Sequence, residues 1–289
     1  MMPTEQIRMA TSNHRRIAYR TRGHSRGPLT RLMSPSDLGE LVKPFVFLDY
    51  FDFERGGGDG GPVHPHSGIA THTTLLEGSL VYGDSTGAAG TLRSGSIEWM
   101  QAGGGVWHGG TLVSGQRMRG FQLWIALPSS LELTPAKSDY VDGATIPGDG
   151  RVRVLLGAYR GMASPIPSES PITYLHVRLK DGERWSYQPP AGHDVAWLAV
   201  AAGTLLVDDK SLRREMAVFD EGEAPIDGVA QGEVELVIGS ATKHPHPLVT
   251  GYYSVHTSPE TLARGEAGIE EVAATMKLRP GEPLSASIR

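Results

Sequence analysis

His64-Pro65-His66-Ser67-Gly68-Ile69-Ala70, followed further on by Ala102-Gly103-Gly104-Gly105-Val106-Trp107-His108, decides how this chain is read. Two histidines at i and i+2 on a strand point to the same side, because side chains alternate across the pleat. Imidazole is the commonest nitrogen ligand of first-row transition metals. A third histidine arriving from a later strand would complete one face of a metal. Two residues beyond it stands Gly110, which brings no side chain to that face.

Working outward, strand-like segments dominate. Phe45–Leu48, Ala70–Leu76, Ser79–Tyr82, Ser96–Met100 and Gly120–Leu127 are apolar, aromatic or β-branched runs bounded by Gly, Asp or Ser. Gly56–Gly61 is a glycine cluster that reads as a loop, and Ser129–Lys137 reads as a connection between domains. A second strand-rich stretch follows at Val152–Leu156, Thr173–Leu179, Asp194–Val200, Thr204–Val207, Glu215–Phe219 and Glu233–Ile238. The apolar run Ala196–Val207 contains Gly203 and reads as strand, turn, strand. Helix is expected only near the end, over 258–277, with Thr257 as N-cap and Glu260 completing a capping box. Gly265 and Gly268 each disfavour that helix by ~1 kcal/mol relative to alanine, so it must dock on something. Pro280 stops it.

Composition narrows the function classes. Glycine (37) and proline (20) make up about a fifth of the 289 residues, short of the ~25–30% of low-complexity chains. A hydrophobic share of 39% can fill a core. With a formal charge of −5 and no Lys/Arg block, direct nucleic-acid binding through phosphate neutralisation is disfavoured. The absence of cysteine excludes disulfides, thiolate–metal sites and thiol redox switching. No secretory signal or membrane-length apolar run is visible. A soluble, cytoplasmic monomer is expected.

A faint internal repeat aligns Leu75–Val81 with Val200–Leu206, placing Gly78 on Gly203. It puts Pro189 and Ala191 where the first half has His64 and His66. The second half would then carry no metal.

Taken in order and spacing, several motifs resemble the pirin family, two-domain members of the cupin superfamily. They are Pro44–Phe51, His64–Gly68, Leu75–Gly78, Asp84–Gly87, Trp99–Gly105 and His108; Pro171–Leu179 and Pro247–Val249 look like later family segments. The resemblance implies an all-β fold of two tandem jelly-roll-like cupin barrels with a short C-terminal helix. Residues 1–140 would form the metal-bearing barrel, and 141–289 a barrel without metal plus the helix. It implies one divalent transition metal, iron foremost, with zinc, copper, nickel or manganese as alternatives. Some bacterial pirins open the flavonol ring of quercetin with dioxygen, and a eukaryotic member is a metal-dependent transcriptional co-regulator.

The family's three histidine ligands carry over to His64, His66 and His108, while its glutamate ligand falls on Gly110. The sequence departs from the pattern nearby as well, at Tyr50, Ser67, Ala70 and His72. Three neutral imidazoles still bind a metal, but without a charged ligand affinity falls and occupancy is expected to be substoichiometric. Glu98 could reach inward, though a glutamate in a strand beside a turn reads first as solvated. His72 is expected inside the barrel as a hydrogen-bonded core histidine, and His244-Pro245-His246 in a connecting loop without metal. Phe47, Tyr50 and Trp107 are candidates to line a flat substrate. No local Ser/His/Asp context suggests a serine nucleophile. Two readings stand: a metal-dependent dioxygenase acting on a small flavonol-like aromatic, or a non-catalytic binding or regulatory protein, its metal site weak or empty, for which a protein partner is one expectation. An unrelated cupin chemistry such as isomerisation is a lesser third.

Overall fold

The computed structural model describes residues 14–54, 63–168 and 170–276; the glycine cluster at 56–61 and Pro280 lie outside them. Strands predominate, as composition and patterning imply. The first half forms a seven-stranded antiparallel sheet. Its order is Lys137–Val141, Ile97–Gln101, Ile69–Glu77, Met118–Ala126, Phe45–Phe53, Leu29–Met33, His24–Arg26. Facing it is a four-stranded sheet in the order His64–His66, Val106–Leu112, Ser79–Asp84, Ala89–Arg93. The second half is built on an eight-stranded sheet, to which Ile17–Thr21 contributes one strand, centred on two long strands, Val195–Val207 and Ile226–Ala241. This is the expected all-β pair of cupin barrels with a C-terminal helix, Pro259–Met276.

Both faces of the seven-stranded sheet are covered, which is why Phe45–Phe53 carries an almost unbroken apolar run. One face packs on the second half. Phe45, Leu48, Tyr50, Phe121 and Leu123 share a core with Leu155, Tyr174, Trp197 and Val237, and Phe45 meets Trp197 edge-on. The other face lines the interior of the first barrel. The interior of the second is packed solid with apolar side chains, including Leu175, Leu198, Leu205 and Leu236.

The internal repeat has a physical basis. A Cβ on Gly78 would fall 2.3 Å from the Arg117 carbonyl oxygen, and one on Gly203 would fall 2.1 Å from that of Glu233. Both glycines lie at φ near +80° where a strand passes against the next one. They differ in outcome. Gly78 separates two strands, whereas Gly203 sits within the continuous strand Val195–Val207, where the pairing register shifts. The expected turn is a bulge.

The ends of the chain cross the boundary expected at 140/141. Ile17–Thr21 pairs with Met216–Phe219 in the second sheet. From His244 the chain returns to the first barrel, forms the hairpin Val249–Gly251/Ser254–His256, and lays its helix there. The segment at 129–137 is not the connection between halves, because Lys137–Val141 still pairs with Ile97–Gln101. No described helix is long and apolar enough to cross a membrane.

The helix cap is also shifted by one residue from expectation. Thr261 N–H donates to the Ser258 hydroxyl at 3.2 Å, so Ser258 is the N-cap. The backbone and hydroxyl of Thr257 are taken instead by buried Glu132 at 2.8 and 2.7 Å.

Candidate metal centre and its pocket

The strand Val106–Leu112 runs antiparallel to His64–His66, with His108 opposite His64 and Val106 opposite His66. That register, together with the i, i+2 spacing, brings the three imidazoles to one point. Nε2 of His108 lies 3.1 Å from Nε2 of His66 and 3.1 Å from Nε2 of His64. One ligand nitrogen from each falls within 4.8 Å of the others, the only such group among the described residues.

The protonation pattern follows from the neighbours. His66 Nδ1 is 2.9 Å from the Tyr253 carbonyl oxygen, which can only accept, so Nδ1 carries the proton. His108 Nδ1 faces the Glu98 carboxylate at 3.4 Å and carries its proton for the same reason. Both Nε2 lone pairs are therefore directed at the centre. Burial, followed by the charges of His108 and His64, pushes the His66 pKa well below its usual value, which keeps the ring neutral as ligation requires. Nitrogens about 2.1 Å from one metal and roughly at right angles would be about 3 Å apart, so the donor set fits a divalent transition metal.

The three histidines form one wall of a cavity of about 430 Å³ whose lining is mainly apolar. Phe47 and Trp124 stack face to face, centroids 4.0 Å apart, and Tyr82 stacks on Tyr140 at 3.5 Å. Arg31 lies over Phe47 and pairs with Asp49. Tyr253 enters from the C-terminal hairpin, its ring 5.2 Å from His64, and is held in the left-handed region at φ 55°.

Opposite the histidines, one row of cross-strand partners spans six strands: Tyr140, Glu98, Thr73, Gln122, Asp49 and Arg31. All six line the pocket. Glu98 is thus buried, 6% exposed, and does not face solvent as expected from its place beside a turn. It accepts from the Thr73 hydroxyl, which also touches Gln122 Oε1 at 2.8 Å. A hydroxyl has one proton, and Gln122 Nε2 is buried without a partner. Turning that amide makes Gln122 donate to Thr73 and Thr73 donate to Glu98. Burial raises the pKa of Glu98, but the contacts with His108 and Thr73 outweigh it and hold the carboxyl below its usual range.

Other sequence-level candidates fall elsewhere. Of the three proposed aromatics only Phe47 lines the pocket. Tyr50 lies on the opposite face of its strand, against Phe121 in the core between the barrels. Trp107 turns out of the pocket and donates from Nε1 to the Ile269 carbonyl at 2.9 Å, anchoring the helix. His72 likewise faces the second barrel rather than the interior of the first. It packs on Tyr174 and Thr74, and burial lowers its pKa to about 4. His244 and His246 lie in a connecting loop.

A Cβ on Gly110 would meet Leu80 Cδ1 at 2.9 Å and Cγ at 3.1 Å, so the Leu80 side chain fills the space beside this position. Ser67, His256 and Glu132 are brought together, with Ser67 Oγ 2.9 Å from His256 Nε2 and His256 Nδ1 3.3 Å from Glu132. All three are buried, and a Cβ on Gly265 of the covering helix would fall 2.6 Å from Ser67 Oγ. The arrangement fastens the C-terminal arm and leaves no room for a substrate.

The Pirin family profile matches residues 28–125. A Pseudomonas aeruginosa protein named "Putative quercetin 2,3-dioxygenase" is 32% identical over 251 residues, spanning 78% of this chain and 84% of the relative. The chain belongs to the pirin family. A pirin-like protein of Caulobacter vibrioides is 31% identical over 235 residues, 76% of this chain and 81% of the relative. Among solved structures, quercetin 2,3-dioxygenase from Acinetobacter baumannii superposes with a TM-score of 0.80 at 23% identity, covering 89% of this pirin and 97% of that chain. That likeness is one of fold.

Proposed function

We propose that this pirin binds one divalent transition metal, iron foremost, through His64, His66 and His108, and acts as a quercetin-type flavonol 2,3-dioxygenase. The observation that carries the reading is the meeting of three Nε2 atoms at the wall of an aromatic-lined cavity. Two further observations support it: the name of the Pseudomonas relative, and a cavity volume within the range of small-molecule sites. When bound, the metal supplies a Lewis-acid centre at which an enol oxygen and dioxygen can meet.

The rest is done by the chain. The stacked pairs Phe47/Trp124 and Tyr82/Tyr140 give flat apolar walls for a fused aromatic ring system. Leu80, Leu92 and Met118 add apolar surface around it. The polar row from Tyr140 to Arg31 offers hydroxyl, carboxylate and guanidinium partners for the hydroxyls of a flavonol. Glu98, Thr73 and Gln122 form a chain in which a proton can be held.

The test is anaerobic loading with iron(II), then admission of air and loss of the quercetin absorption band. Turnover by wild type, with His66→Ala metal-free yet folded, is the expected result. Metal content unchanged in His66→Ala would overturn the site. A folded, fully loaded protein that leaves quercetin intact would overturn the activity. That last result would favour a second reading, a non-catalytic metal-binding protein, which the filling of the Gly110 space by Leu80 supports.

A further inference from the structure

We infer that Glu98 is a positioning residue for the histidine centre: it fixes the tautomer and direction of His108 and supplies the negative charge that the three ligands lack. The inference rests on the three-histidine reading above and concerns how that centre is held. Three observations carry it.

The first is orientation. Each histidine that is to donate from Nε2 needs a fixed acceptor at Nδ1, and such partners raise ligand basicity as well as aiming the ring. For His66 the acceptor is the neutral carbonyl of Tyr253. For His108 it is a carboxylate. His108 Nε2 lies 3.1 Å from both other Nε2 atoms, so its tilt sets both of those spacings.

The second is the support behind Glu98. The carboxylate sits in the cross-strand row, opposite Thr73 on one side and Tyr140 on the other. Thr73 holds one oxygen, and the other is turned to His108. A buried carboxylate with both oxygens engaged in a rigid sheet is fixed in place.

The third is charge. His64, His66 and His108 are neutral as ligands, and Gly110 and Gly109 beside them contribute no side chain. Asp84, buried opposite His108 on the neighbouring strand, has its two oxygens turned to Thr86 and to the Tyr140 hydroxyl. Asp49 is occupied by Arg31. Of the two carboxylates that line the pocket, Asp49 and Glu98, it is Glu98 that pairs with a histidine of the centre, His108.

The test uses full-length protein labelled with ¹⁵N-histidine, with long-range ¹H–¹⁵N spectra for tautomers and zinc(II) affinity by competition with a chromophoric chelator. In metal-free wild type, His108 should carry its proton on Nδ1. Glu98→Leu removes acceptor and charge together: the tautomer should shift toward Nε2–H, and zinc binding should weaken by about 10- to 100-fold. Glu98→Gln keeps an oxygen facing Nδ1 but not the charge. It should preserve the tautomer and weaken zinc by a smaller factor, and it serves alone if the leucine variant does not fold. An unchanged tautomer in Glu98→Leu, or wild-type zinc affinity in Glu98→Gln, overturns the inference and leaves the histidine site standing. Wild-type protein with the Nδ1–H tautomer that takes up no zinc overturns the metal reading instead, while Glu98 keeps its hold on His108.

Discussion

Gly268→Ala separates helix propensity from helix docking. On propensity alone the change should stabilise the helix Pro259–Met276 by about 1 kcal/mol, since glycine is the poorer helix former. The packing gives the opposite sign. A Cβ at 268 would lie 2.0 Å from the carbonyl oxygen of Gly104, and the reciprocal Cβ on Gly105 would lie 2.8 Å from the Gly268 carbonyl carbon. These are backbone atoms of a tight segment in which Gly103 has φ 53°, so no side-chain rotation relieves the contact. The helix must lift by about an ångström or more, which strains the Trp107–Ile269 hydrogen bond. Overpacking of this kind costs about 1–3 kcal/mol, so after the propensity gain a net loss of about 0–2 kcal/mol is expected. Lifting also pulls on the hairpin whose Tyr253 carbonyl holds His66. Urea unfolding should show the lower midpoint, and amide exchange over 259–276 should speed up while the second barrel stays protected. A variant as protected as wild type and about 1 kcal/mol more stable would refute the docking argument.

Glu235 predicts an acid limb in the stability curve. Burial pushes its pKa up, but the hydrogen bond from His176 and the charges of His176, Arg119 and Arg178 bring it down to about 2. A depressed folded-state pKa gives stability that is full above the unfolded value near ~4.3 and is lost as pH falls toward 2, about 3 kcal/mol in all. Glu235→Gln should lower the urea midpoint at pH 7 and flatten its decline between pH 4.5 and 2; an unchanged decline would refute the assignment. Gly110→Glu should raise zinc affinity and any flavonol turnover by supplying a carboxylate ligand, but more in company with Leu80→Ala, which clears the atoms at 2.9 and 3.1 Å. Equal affinity in the single and double variants would show that Leu80 does not control the position.

Part of the candidate site was legible because two of its three histidines, His64 and His66, are local in sequence. The alternation rule puts His64 and His66 on one face, and the family spacing brings His108 to them. What was not legible depends on register. Glu98 belongs to the pocket because it stands opposite Thr73, and no single-strand pattern reveals that pairing. The signal that could have found it is parity. Glu98 lies one residue from Trp99, and Trp99 joins the core between the barrels, so the glutamate must face the other way, into the barrel. Tyr50 and Trp107 were misplaced for a related reason. In a sheet covered on both faces, aromatic character says that a residue is buried but not on which side. Tyr253 was missed because it sits in the turn of a hairpin, Val249–Gly251/Ser254–His256, on an arm that returns from beyond the second barrel.

That return of the chain explains how a glycine-rich first barrel can hold its histidines in fixed orientation. The strand His64–His66 is three residues long and, among the described residues, pairs with one strand, Val106–Leu112, so sheet pairing alone fixes it weakly. The arm compensates from the other side. Ser67 binds Ser254 and His256, Glu132 holds Thr257, and the helix closes over Ser67 at a glycine. These contacts place the Tyr253 carbonyl where it selects the His66 tautomer, while Glu98 does the same for His108 from within the sheet. Two of the three imidazoles are thus aimed by groups outside their own strands, one of them 187 residues away in sequence. A truncation removing the arm should cost the centre its order before it costs the second barrel its fold.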